Sequence, residues 1–305
     1  MIYYIQLFQS IIFQFFIMNK LNRRQFIGQS VIGVSSAVIL SKLPAYLNVQ
    51  PGFKEQAIGF QVYPVRDKLV KDFSGTLKMM ANLGYQHVEM CSPSGYAEDG
   101  FAPLQNMKGA EMRRIITDAG LSCPSSHFTF DELKNKLDDR IEFAKQLGLS
   151  HMVCQSFWLP DTASIKDYLN ACDTLNKIAE KISKAGLQTG FHNHEMEFAT
   201  KEGVVIYDAM MGELDPKLVK MQFQMEVINL GYKASTYFTK YPGRFISSHL
   251  SDWTPDKKET PIGKGVINWK EYFATAQTGG LQHFFVEMDL ATFKDSATYI
   301  HELLK

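Results

Sequence analysis

Between residues 192 and 197 the chain reads His192-Asn193-His194-Glu195-Met196-Glu197, two imidazoles and two carboxyls within six residues. These are the side chains that ligate divalent cations and move protons near neutral pH. Similar polar positions close short apolar runs elsewhere: Gln61, Glu89, His127, Gln155 with Trp158, Gln222 and Gln224, His249 and Asp252, Glu287 and Asp289. Singly, each has an ordinary explanation. A lone His is more often a hydrogen-bonded structural residue, and Glu89 or Glu287 can pair with a neighbouring Lys or Arg. Gathered in one place, imidazoles and carboxylates are expensive to desolvate without a cation or substrate to satisfy them. Mixed N and O ligation suits Mn²⁺, Co²⁺, Mg²⁺, Zn²⁺ or Fe²⁺. Such a cation beside a sugar carbonyl and its neighbouring hydroxyl stabilises the enediolate formed when the α-proton leaves. Isomerases, epimerases and β-eliminating lyases share that step.

The elements that must gather these residues follow from a recurring unit: an amphipathic stretch, a glycine, then a short apolar run. It appears at Asn82-Leu83-Gly84-Tyr85, Asp118-Ala119-Gly120-Leu121, Gln146-Leu147-Gly148-Leu149, Lys184-Ala185-Gly186-Leu187 and Thr278-Gly279-Gly280-Leu281. Glycine just past a helix supplies the left-handed cap, and the apolar run behind it reads as a buried parallel strand. Strands are expected at Ala57–Tyr63, His87–Cys91, Ser122–His127, His151–Ser156, Gln188–His194, Val219–Gln224, Phe245–Ser251 and Phe284–Met288. Eight strands, each followed by a helix, close into a single-domain α/β (β/α)8 barrel. An open doubly wound sheet would show a Gly-rich phosphate loop after its first strand, and none follows Ala57–Tyr63. In such a barrel the reactive groups sit at the C-terminal strand ends, where the polar residues above fall.

Four segments carry a family resemblance: Gly190-Phe191-His192-Asn193-His194-Glu195-Met196-Glu197-Phe198; Tyr241-Pro242-Gly243-Arg244-Phe245 leading to His249-Leu250-Ser251-Asp252-Trp253; Ile262-Gly263-Lys264-Gly265-Val266-Ile267-Asn268-Trp269; and Val286-Glu287-Met288-Asp289. Together they resemble the xylose isomerase-like sugar phosphate isomerase/epimerase superfamily of TIM barrels, over about Gln56 to Lys305. The resemblance implies a divalent metal held by Glu, Asp, His and Glu at the ends of strands five to eight. His249 and Glu287 match the last two positions. Gln224 stands at the strand-six position, bringing an amide oxygen but no charge. The strand-five position falls near Gly190, so His194 or Glu197 would have to substitute.

The remaining positions are expected to handle substrate. Glu89, His127 and Gln155 would line it, with His127 or His192 as general base because imidazole titrates near neutrality. Lys264, between two glycines, would hydrogen-bond a substrate oxygen or stabilise an enolate, or else lie solvated in its loop. Gln61, Asp252, Trp158 and Trp253 would contact the sugar, the tryptophans by stacking or by packing alone.

Composition sets outer bounds. Hydrophobic residues make up 45% and charged residues 21% of 305 residues, so the chain is expected to fold around one large core. A formal net charge of zero gives no pull toward nucleic acid or an anionic membrane, which disfavours a DNA-repair endonuclease on the same barrel. Cys91, Cys123, Cys154 and Cys172 read as buried free thiols. At the N-terminus, Asn22-Arg23-Arg24-Gln25-Phe26-Ile27 precedes an uncharged run to Leu40, with Pro44-Ala45 beyond. This looks like a twin-arginine export signal, with Met18 as an alternative start and a membrane anchor as the competing reading. Residues 1–50 are thus expected to be a leader and 51–305 the periplasmic barrel. Three functions stay in view: a sugar isomerase or epimerase, a 3-keto-sugar or keto-glycoside lyase or hydratase, and a non-catalytic sugar-binding barrel. The partner expected is a small carbohydrate, with no nucleic acid, no stable membrane span and oligomerisation open.

Overall fold

The computed structural model describes residues 57–305. The expected export leader lies outside the described residues. Among them, no helix is long and apolar enough to cross a membrane.

Eight parallel strands close a barrel in chain order: β1 (Ile58–Gln61), β2 (His87–Cys91), β3 (Ser122–Phe128), β4 (His151–Cys154), β5 (Gln188–His192), β6 (Val219–Gln224), β7 (Phe245–Leu250) and β8 (His283–Val286). Each expected strand is present, with ends shifted by one or two residues. β8 pairs back to β1 through Ile58 opposite Phe284 and Phe60 opposite Val286, which leaves the barrel sheet without an edge. The outward side chains of the strands, such as Phe60, Met152, Phe191 and Phe223, are fully buried under the helical ring. All four cysteines are buried and free.

The helices form for local reasons. Ser164 and Asp167 make a reciprocal capping box that starts Ile165–Lys184, whose buried face carries Tyr168, Cys172, Leu175, Ile178, Ala179 and Ile182. Gly148, at φ 85°, ends Leu137–Leu147 in the left-handed region that glycine adopts at no steric cost.

Inside the barrel the filling is unusual. Such interiors are commonly packed with Val, Ile and Leu, whereas here Glu89, Ser125, Gln222, Ser247 and His249 are buried at 0–2% exposure. Bulk comes from the ring of Phe285, which reaches over Gly59, and from Val153, which reaches over Gly190. A Cβ added at Gly59 would lie 2.5 Å from the Phe285 ring, and one at Gly190 would lie 2.8 Å from Val153 Cγ2. Gly190 is therefore required by its neighbour, and imidazoles follow it at His192, the last residue of β5, and at His194 just beyond.

Candidate active site

Strand alternation sends every second residue inward, and the register fixes which ones become neighbours. Cys91 pairs with His127, His192 with Gln222, and Gln224 with His249. His249 also pairs with Phe285, two residues before Glu287. Polar groups far apart in sequence thus meet at the C-terminal mouth, around a cavity of about 790 Å³.

At its base lies a chain of charged hydrogen bonds. His249 Nδ1 is 2.7 Å from Glu287 Oε2, and His249 Nε2 is 2.5 Å from Glu89 Oε2. Glu287 Oε2 also accepts from Gln224 Nε2 at 2.6 Å. Glu89 Oε1 accepts from Ser125 Oγ at 2.5 Å and Gln222 Nε2 at 2.8 Å. Gln222 Oε1 is 2.6 Å from His127 Nε2. The His127 and His249 rings stack at 5.1 Å, and His192 lies 4.4 Å from His249.

This packing sets the protonation states. Burial alone would raise the Glu89 carboxyl, but the His127 and His249 rings and the hydrogen bonds of His249 and Ser125 bring it down to about 2. Burial pulls His249 down, yet Glu287 and Glu89 on its two sides push it up to about 10. His192 goes well below the ordinary imidazole value through burial and the crowding of His249, His194 and His127. Burial also lowers His127, against the pull of Glu89, and takes His194 to about 4. His192 and His127 are accordingly neutral at pH 7, and the titration that the sequence reading expects near neutrality is moved down in both, furthest in His192. Their environment is too dry and too rich in imidazole.

The residues that face the cavity include Gln61, His127, Gln155, His192, His194, Gln224, Trp253 and Glu287, with Trp158 at its rim. Four expectations are corrected. Glu89 does not face substrate; it is fully buried behind His249 and holds it. Glu197 is fully buried, accepting from Ser156 Oγ at 2.7 Å and from the His194 backbone N–H at 2.7 Å, which caps the turn Glu195–Phe198. It is not a ligand toward the cavity. Asp252 is fully buried beneath the loop that follows: it accepts from the backbone N–H groups of Trp253, Gly263, Gly265 and Ile267 and from Trp269 Nε1. That anchoring leaves Lys264 exposed and off the cavity wall.

The cavity also takes residues that sequence reasoning missed. Glu226 extends the alternation Gln222, Gln224 by one more step, a legible signal. Tyr96, Asp99 and Glu259 come from loops and carried none. Asp99, Glu226, Glu259, Glu287 and Asp289 give the cavity five carboxyls, and no Lys or Arg lines it among the described residues.

Two donor groups fit a divalent cation. Gln224 Oε1 and His194 Nδ1 are buried without a partner, and Glu287 Oε2 holds Gln224 Nε2 and His249 Nδ1, which brings one carboxylate, two imidazoles and an amide oxygen to this side of the mouth. The second, His127, His192 and His249, has ligand atoms within 4.8 Å of one another and brings no negative charge. Among the described residues the second is the group whose ligand atoms are shown close together, and the first adds the carboxylate that a hard dication favours.

The family assigned to xylose isomerase-like TIM barrels matches residues 77–303. The chain belongs to that family. Two sugar phosphate isomerase/epimerase structures from Parabacteroides distasonis ATCC 8503 superpose on this barrel. One is 23% identical at a TM-score of 0.70, covering 85% of this chain and 98% of its own. The other is 24% identical at 0.67, covering 81% and 98%. The probable 3-DHS dehydratase of petrobactin synthesis from Bacillus anthracis is 11% identical at 0.62, covering 80% and 98%. At these identities the likeness is one of fold. Among curated proteins, none matches this xylose isomerase-like barrel.

Proposed function

We propose that this barrel is a metal-dependent isomerase or epimerase of an unphosphorylated sugar, acting by α-proton transfer. The observation that carries the reading is that Glu287, Gln224, His194 and a neutral His192 line one carboxyl-rich cavity, with His249 hydrogen-bonded to Glu287 behind the wall. Glu287, His249, Gln224 and His194 would hold a divalent cation, which would supply Lewis-acid polarisation to a sugar carbonyl.

The chain's own residues do the rest. His192, neutral on the cavity wall, is the general base that accepts the α-proton. Tyr96, whose hydroxyl is 3.4 Å from His127 Nδ1, and Gln61 orient substrate hydroxyls. Five carboxyls with no facing cation repel a phosphate ester, and a bound dication offsets only part of that charge.

One observation favours the lyase or hydratase reading as a second. Burial, with Glu195, Glu287 and Glu259 nearby, raises the Glu226 carboxyl, so the cavity wall carries a carboxyl that takes up a proton more readily than an ordinary one and could pass it to a departing oxygen. Solvent exchange separates these readings. Metal-loaded protein in D₂O with a panel of neutral sugars and 3-keto-sugars is expected to exchange an α-proton, and His249→Gln to stop it. Exchange with an unsaturated or cleaved product assigns the lyase; tight sugar binding with no exchange on the whole panel removes both enzyme readings. We read residues 1–50 as a twin-arginine leader that places the barrel in the periplasm. A reporter fused to them should be exported in cells with the twin-arginine translocase and retained without it.

A further inference from the structure

Beside the main cavity lies a second, of about 470 Å³, and the two share Gln155 and Trp158 as a common wall. It is a built site. Glu132 lines it at 6% exposure with Oε1 unpartnered, while its Oε2 accepts from Ser92 Oγ at 3.2 Å. Gly95 makes room for that carboxylate, since a Cβ there would lie 2.0 Å from Glu132 Oε2. Phe130 and Phe157 pack at 4.7 Å to form an aromatic side, and Ser94 and Thr129 bring hydroxyls. Its charged side chains are two acids and two lysines, Asp131 and Glu132 with Lys134 and Lys136, and burial raises the Glu132 carboxyl to about 7, so no strong charge of either sign is offered to a ligand. Aromatic faces with hydroxyl, carboxyl and ammonium edges and no strong charge suit a sugar ring, which has an apolar face and a polar rim.

Trp158 stands between the cavities at 53% exposure, its ring 4.8 Å from that of His194. Its φ of 48° lies in the left-handed region that a bulky residue rarely adopts. The Ser156 hydroxyl, 3.3 Å from the Trp158 backbone N–H, helps hold that turn.

We propose that the second cavity is a subsite for the second unit of a glycoside, so that this site takes a disaccharide or related neutral glycoside rather than a free monosaccharide. The reacting ring sits in the main cavity, the glycosidic linkage passes Trp158 and Gln155, and the outer unit fills the Glu132 cavity. This rests on the sugar reading of the main cavity, but it is tested by binding rather than turnover. Calorimetry on the metal-loaded protein compares glucose with maltose, cellobiose, trehalose and gentiobiose. At least one disaccharide is expected to bind about tenfold or more tighter than glucose, about 1.4 kcal/mol. Trp158→Ala and, independently, Ser94→Phe, which fills the second cavity, are expected to erase that preference. Equal or weaker binding of every disaccharide, or a preference that survives Ser94→Phe in protein that still melts cooperatively, overturns the subsite. Absence of α-proton exchange alongside a clear disaccharide preference sinks the enzyme reading and leaves the subsite standing.

Discussion

Glu89 shows how a residue can govern chemistry it never touches. Its carboxylate fixes His249 Nε2, leaving Nδ1 toward Glu287; carboxylates placed behind a ligating imidazole orient the ring and strengthen it as a donor. Glu89→Gln is expected to weaken divalent-metal affinity by about 10–100-fold while leaving the cavity wall in place. The same variant tests the ionic array without metal. Glu89 is shifted from 4.5 to about 2, so its contribution is present above pH 4.5 and lost as pH falls through about 2. His249 is shifted from 6.5 up to about 10, so its contribution is whole below pH 6.5 and lost as pH rises through about 10. Both are full only between pH 4.5 and 6.5. In chelator, melting of Glu89→Gln should fall furthest below wild type in that window, by about 3 kcal/mol, and the gap should shrink toward pH 9. A gap that widens toward pH 9 would show that the array is not ionised as described.

At the scale of elements, the loop after β7 is organised by one side chain. Asp252 collects five N–H donors from Trp253 to Trp269. Gly265 is glycine because a Cβ there would lie 2.1 Å from Asp252 Oδ1. The buried carboxylate also places Trp253 on the cavity wall and Lys264 away from it. Asp252→Ala strands those donors, and is expected to lower stability by about 2–4 kcal/mol and to weaken sugar binding. Lys264→Ala should change neither. Urea unfolding and calorimetry on the two variants read both effects, and a strong loss of sugar binding in Lys264→Ala would restore that lysine to the site.

For the whole molecule, zero net charge conceals a local imbalance: the mouth carries five carboxyls and no facing Lys or Arg among the described residues. Fructose is expected to bind the metal-loaded protein about tenfold or more tighter than fructose 6-phosphate, since like-charge juxtaposition costs several kcal/mol, and added salt should narrow the gap. Preference for the phosphate ester would refute the unphosphorylated-substrate reading. The barrel was legible because its cause is local: helix periodicity, a glycine past five of the helices and an apolar run behind each are printed in consecutive residues, and eight strands each followed by a helix admit one closed arrangement. The polar strand ends were legible for the same reason, since period-two alternation puts His127, His192, Gln224 and Glu287 on inward positions. What no local pattern could decide was depth and partner. Glu89, Glu197 and Asp252 have the same chemistry as Glu287, yet the fold spends them behind His249, under a turn and beneath a loop. Tyr96, Asp99 and Glu259 reach the cavity from loops whose course only the closed barrel sets. Residue type and spacing fix which groups can point inward; hydrogen-bond partners brought from distant strands fix which of them meet the solvent-filled mouth.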